Sequence, residues 1–192
     1  MIDTLVRKNR SYRGYDERRR VSREELLQMV DCARLAPSSV NVQPLKYFLA
    51  YEEDAVRRIQ PLTHWARALQ PMQLPHPGHC PTAFIVICQD LSISDALPRF
   101  QKDVGIVAQT LLLKATEMGL GGCMIGNFSA RAIQQALNLS ETIAPVLVVA
   151  IGKPDETVVL TCVGPDGNTD YYRDGEDVHY VPKRSLEDVV LP

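Results

Sequence analysis

The sequence predicts an α+β layered domain, and three observations carry that expectation. Helical and strand patterns alternate along the chain. Two continuous apolar runs, Ala83–Cys88 and Pro145–Ile151, have the length and composition of strands buried on both faces. One helical pattern over 99–118 is long enough to pack across such a sheet. At 192 residues the chain fits one domain, 1–192, able to bury roughly 70% of its unfolded surface without a covalent staple.

Ser22-Arg23-Glu24-Glu25 reads as a capping box, in which the serine hydroxyl accepts from the Glu25 amide and the Glu25 carboxylate accepts from the serine amide. A helix follows to about Ala36, with Leu26, Val30, Ala33 and Ala36 at helical spacing, and Pro37 stops it. Leu45–Tyr51 is an uninterrupted aromatic and aliphatic run, hence a strand, and Asp54–Gln60 reads as a short helix. Prolines at 61, 71, 75, 77 and 81 rule out a long element there and predict a loop-rich excursion of the kind that covers a site. After the first buried strand, Val104, Val107, Leu111, Ala115 and Met118 form one stripe of the long helix, which Gly119 ends. Gly119–Gly126 leads from that helix into a short strand, Ser129 caps a helix through Leu137, and the second buried strand follows. Beyond Gly152 the segments Val158–Val163 and Thr169–Tyr172 flank Pro165-Asp166-Gly167 and predict a hairpin, followed by a C-terminal arm, so that 153–192 extends the domain. No internal repeat or low-complexity tract is present.

The formal charge of −2 and a pI near 6.1 argue against a nucleic-acid binder. The charge is uneven: residues 1–23 carry most of the basic excess. For Arg18–Arg20 a solvated face explains it, whereas Arg10 and Arg13 bracket Ser11 and suit an anionic ligand. Five cysteines, at 32, 80, 88, 123 and 162, are odd in number and widely spaced, which predicts neither a disulfide framework nor a CxxC site and fits a reducing cytoplasm. The N-terminus lacks the apolar core of a signal peptide, and no apolar run approaches a membrane span. The expectation is a soluble, cytoplasmic protein with no membrane partner.

The run Ala36-Pro37-Ser38-Ser39-Val40-Asn41-Val42-Gln43-Pro44 concentrates hydroxyls and carboxamides without a charge. Such an edge hydrogen-bonds an uncharged heterocycle, whose ring alternates donors and acceptors. Arg10, Ser11 and Arg13 supply charge-assisted donors for a phosphate. The two segments together predict a phosphorylated heterocyclic cofactor.

In order and spacing, Arg10-Ser11-Tyr12-Arg13, Pro37–Pro44, the Asp103 helix, the glycine strand and the closing Pro182-Lys183-Arg184-Ser185-Leu186 resemble the nitroreductase family of FMN enzymes that use NADH or NADPH. The resemblance implies a three-layer α/β/α domain with a central mixed sheet, a long central helix and a C-terminal extension. It implies a homodimer with FMN sites shared between protomers. Arg10, Ser11 and Arg184, with Lys183 beside them, match positions around the FMN phosphate and ribityl chain, and Arg13 matches the cation at the pyrimidine edge. Pro37, Ser38, Ser39 and Asn41 match positions that reach the flavin from the other protomer. Gly121, Gly122 and Gly126 match the backbone that passes the reactive N5, where the absence of side chains lets the ring approach; a helix stop with tight sheet packing explains the same glycines. Asn9 stands where many members carry another basic residue. The implied reaction is hydride transfer from NAD(P)H through the flavin, which carries the chemistry so that no side-chain catalyst is assigned, to a small electron-poor acceptor: a nitroaromatic, quinone or activated alkene, in ping-pong order.

Other residues carry plainer readings. His76, His79 and Cys80 sit close together but lack a fourth ligand, so no metal is assigned. Cys123 reads as packing, His179 as a surface histidine ahead of one that approaches the phosphate or the substrate opening, Asp103 as a helix-start residue bonding backbone amides, and Tyr47 and Trp65 as core aromatics. Rival functions are a specialised dehalogenation, desaturation or flavin fragmentation, a flavin binder without turnover, and a phosphate-polymer binder using Arg7–Arg23. No Rossmann fingerprint is present to read a nicotinamide ribose.

Overall fold

The computed structural model describes residues 1–69 and 71–191. Six helices, α1 (Ile2–Lys8), α2 (Arg23–Ala33), α3 (Glu53–Ile59), α4 (Gln101–Glu117), α5 (Ala130–Ala136) and α6 (Leu186–Val189), accompany seven strands. These are β1 (Leu45–Ala50), β2 (Ala83–Asp90), β3 (Gly121–Ile125), β4 (Ile143–Gly152), β5 (Val158–Cys162), β6 (Tyr172–Arg173) and β7 (His179–Lys183).

The main sheet has the order β1-β2-β4-β3, with every one of these pairs antiparallel. Its parallel component is the bridge between Ser11 and Gly122, which lays the N-terminal segment along the outer side of β3. Strand alternation divides the core. Ile85, Ile87, Val149 and Ile151 meet Leu26, Met29, Leu111 and Ala115 of α2 and α4 on one face. Phe84, Val86, Val148 and Ala150 meet Ala55, Ile59 and Ile133 of α3 and α5 on the other. Both faces are covered, which is why β2 and the second half of β4 read as continuous apolar runs. The expected helix–sheet–helix layering follows from that division.

The Ser22 capping box forms with both of its hydrogen bonds, but α2 ends at Ala33, and Leu35 and Ala36 complete turns onto Cys32 and Ala33 before Pro37. α4 carries the expected stripe, and Gly119 after it takes φ +73°. The hairpin expected between 158–163 and 169–172 is corrected: β5 and β6 do not pair with each other but flank β7, β5 parallel and β6 antiparallel. The hairpin turn falls instead at Asp174–Val178, where the Asp174 carboxylate accepts from the backbone amides of Glu176 and Val178. This three-stranded sheet brings β7 beside the N-terminal segment. α1 was not anticipated; its sequence reads first as a cluster of charge.

Candidate functional site

The bridge from Ser11 to Gly122, with the Tyr12 amide donating to the Gly122 carbonyl at 3.0 Å, fixes Arg10–Arg13 next to β3. The same strand alternation that makes β7 a strand puts His179, Val181 and Lys183 on one side of it, facing that segment. α4 contributes Gln109 and Leu112, β3 contributes Met124, and Tyr171 closes the wall. The cleft so formed has about 350 Å³, within the range of small-molecule sites. Its lining includes Asn9, Arg10, Ser11, Arg13 and Lys183 and no acidic residue.

Two of its cations are only partly satisfied by the protein. Arg10 donates from Nη2 to the Val6 carbonyl at 2.7 Å, while its buried Nε has no partner; burial lowers its pKa. Arg13 is 9% exposed. Its Nη1 donates to the Ser11 carbonyl at 3.2 Å and lies 3.0 Å from His179 Nε2, and its buried Nε is also unpartnered. The Tyr171 ring stands 5.0 Å from the Arg13 guanidinium carbon. Buried donors without acceptors are costly, so a ligand with acceptor oxygens matches this wall.

An adjoining depression shares Arg13, Met124 and Tyr171 and is lined further by Trp65, Arg67, Gly126 and Asn127. The proline-rich excursion therefore borders this depression rather than the cleft itself. Trp65 packs against the core as expected and, half-buried, also lines this depression, with Nε1 donating to Thr63 Oγ1 at 2.9 Å. Tyr47 does pack against the core, and burial raises its pKa to about 12.

Pro37, Ser38, Ser39 and Asn41 do not join this cleft within one chain. Pro37 and Ser38 line a separate pocket with Ala33, Tyr47, Asp103 and Val107 that has no residue in common with it. Here Asp103, 3% exposed, accepts from the Ser38 hydroxyl at 2.6 Å, the Ser39 amide at 2.9 Å and the Ser39 hydroxyl at 3.1 Å. Burial opposes ionisation of Asp103, but these hydrogen bonds outweigh it and hold the carboxyl below its usual range. Ser38 Oγ accepts in turn from the Gln43 amide at 3.0 Å. The clasp restrains a segment with positive φ at three positions, 53° at Val40, 56° at Asn41 and 53° at Gln43, a conformation unfavourable for the β-branched Val40. The structural role expected of Asp103 is thus side-chain as well as backbone bonding.

The other expectations divide. Lys183 lines the cleft; Arg184 follows the end of β7, is exposed and is not in the lining. At Gly122 a Cβ would fall on the Ala150 carbonyl and 2.7 Å from Leu112 Cδ2, and at Gly121 it would lie 2.6 Å from the Tyr12 ring. Sheet packing thus accounts for Gly122, and the Tyr12 and Pro154 side chains crowd Gly121, whereas a Cβ at Gly126 would meet nothing within 4 Å. His179 is corrected from a surface residue to a buried one in the cleft wall, at 1% exposure. Cys123 packs in the core, and burial raises its thiol pKa. His76 Nε2 and His79 Nδ1 stand 3.2 Å from Asp177 and Asp155, and the described residues contain no cluster of three metal-ligating side chains. Sequence reasoning missed Tyr171, Glu156 and Arg173; the period of two in β7, read back from Lys183, was the available signal for His179.

Residues 6–153 match the nitroreductase family. The chain belongs to that family. This nitroreductase-family chain is 24% identical over 157 residues to a protein of Archaeoglobus fulgidus provisionally named NADH dehydrogenase/NAD(P)H nitroreductase, covering 79% of this chain and 84% of that one. It is 22% identical to a protein of Bacillus subtilis provisionally named NAD(P)H nitroreductase YodC, covering 80% and 90%. Among solved structures, one from Exiguobacterium sibiricum, provisionally called a nitroreductase and in complex with FMN, superposes with a TM-score of 0.68 at 22% identity over 81% of this chain and 89% of that one. One from Staphylococcus epidermidis, provisionally called an NAD(P)H:FMN oxidoreductase, gives 0.72 at 19% identity over 100% and 95%. Among the described residues, no helix is long and apolar enough to cross a membrane.

Proposed function

We propose that this protein is an FMN-dependent oxidoreductase that takes hydride from NADH or NADPH and passes it to a small electron-poor acceptor. The observation that carries the reading is the acid-free cleft in which Arg10 and Arg13 keep buried donor nitrogens without protein partners. A phosphorylated flavin fits that donor set. Arg10, Ser11 and Lys183 would hold its phosphate and ribityl oxygens, with Lys183 in the place first assigned to Arg184. Arg13 would stand where negative charge accumulates on the reduced ring. When bound, FMN supplies the two-electron chemistry; the protein supplies binding, orientation and charge. Nitroaromatics, quinones and activated alkenes are the acceptors this arrangement suits. A shared cleft for donor and acceptor implies a ping-pong order.

The working unit in this reading is a homodimer, with Ser38, Ser39 and Asn41 completing the partner's cleft. Two features support it: the separate placement of those residues within one chain, and the C-terminal arm, whose Leu186, Val189, Val190 and Leu191 are 61–89% exposed. The experiment is direct. Purified protein should carry FMN, bleach on NAD(P)H and recolour with acceptor, and double-reciprocal plots should be parallel. Coexpressed Arg10→Ala and Asn41→Ala chains should regain activity that neither homodimer has. Colourless protein that FMN does not restore would overturn the cofactor reading, and verified but inactive mixed dimers would overturn the shared site.

A further inference from the structure

We infer that His179 is a positioning residue, whose ring nitrogen holds Arg13 in place at the cleft without neutralising it. Arginine remains protonated in proteins and has no acceptor, so the 3.0 Å contact between Arg13 Nη1 and His179 Nε2 requires the imidazole nitrogen to accept. The ring is then neutral, with its proton on Nδ1. Tyr171 completes the mount, its ring against Arg13 on one side and edge-on to His179 at 5.3 Å between centroids.

The carboxylate bonded to this segment has other partners. Glu156 accepts from the backbone amides of Arg13 and Gly14 and pairs with the Arg173 guanidinium, which in turn meets Asp177 at 2.9 Å. The Arg13 backbone is thus tied by an acid while its charged head is tied by a neutral base. Among the described residues no carboxylate forms an ion pair with that head. Burial, reinforced by Arg13 and Arg173, lowers the His179 pKa to about 4 and keeps the ring neutral across the physiological range. A carboxylate in the same position would fix Arg13 as firmly but cancel much of its field. A hydrocarbon would leave Arg13 held only by the Ser11 carbonyl and the Tyr171 ring. Glu156, Tyr171, Arg173 and His179 all lie beyond the 6–153 family match.

The consequence for the site rests on the flavin reading above: an uncancelled cation favours the more negative, reduced cofactor. The test has two readouts. In the wild-type protein without flavin, ¹⁵N NMR at pH 7 should find His179 protonated at Nδ1 and bare at Nε2. A proton on Nε2, or a doubly protonated ring, overturns the inference. In flavin-loaded protein, His179→Gln retains a neutral acceptor and should keep the midpoint potential of the bound FMN. His179→Glu should make reduction at least tenfold less favourable, a shift of about −30 mV for two electrons. An unshifted potential in a folded, flavin-loaded His179→Glu protein also overturns it. Failure to bind FMN sinks the cofactor reading instead, and the tautomer then decides this inference alone.

Discussion

Replacing Gly122 by alanine separates packing from ligand approach at β3. The added Cβ would overlap the Ala150 carbonyl, press on Leu112 Cδ2 at 2.7 Å and lie 3.1 Å from Ile151 Cδ1. Leu112 can rotate away; the Ala150 carbonyl cannot, because β4 is held between β2 and β3. The backbone of β3 must therefore move, breaking register at Gly122–Ile151 and straining the Ser11 bridge. Overpacking of a tight core costs about 1–3 kcal/mol, and a fixed backbone obstacle puts this site at the upper end, about 3 kcal/mol. For a chain of this size that is a fall in Tm of about 6–12 °C. Thermal unfolding followed by circular dichroism should show it equally with and without added FMN. Gly126→Ala, with open space around the new methyl, should stay within about 0.5 kcal/mol of wild type. A Gly122→Ala protein that melts with the wild type, or loses stability only when flavin is present, would refute the packing argument and return this glycine to the ligand.

Three further outcomes follow from the same geometry. Glu156→Ala strands the Arg173 guanidinium, which is 2% exposed, and should cost about 3–5 kcal/mol in urea unfolding; a loss under 1 kcal/mol would mean Asp177 alone satisfies it. The Asp103 carboxyl titrates below its unfolded value of about 3.9, so it contributes stability above that pH and loses it as pH falls through the folded value. Asp103→Asn should therefore be about 1–3 kcal/mol less stable at pH 7, and the gap should narrow steadily as pH falls below about 3.9; a gap that does not narrow on acidification would contradict the assignment. Lys183→Ala should weaken FMN binding roughly 10- to 150-fold while leaving riboflavin little changed, and Arg184→Ala should do less; the reverse order would restore the phosphate role to Arg184.

Elements governed by local rules were legible in the chain. The Ser22 capping box, the Gly119 stop, the doubly buried strands and the α4 stripe each depend on residues a few positions apart, so spacing alone identifies them. The order of the family motifs singled out Arg10, Ser11 and Arg13, and the folded chain brings these three neighbours into the lining of one cleft. Local turn chemistry misled once, at Pro165-Asp166-Gly167, because β5 and β6 each pair with β7, which lies further along the chain and is invisible within the segment. What remained was decided by long-range contact. Nothing near His179 in the chain announces that Arg13, in the N-terminal segment, will be its partner. Gly122 is glycine because of a carbonyl on another strand. Burial and charge pairing are properties of positions in space, and only the folded chain brings the β7 imidazole, the Arg13 guanidinium and the Glu156 carboxylate together.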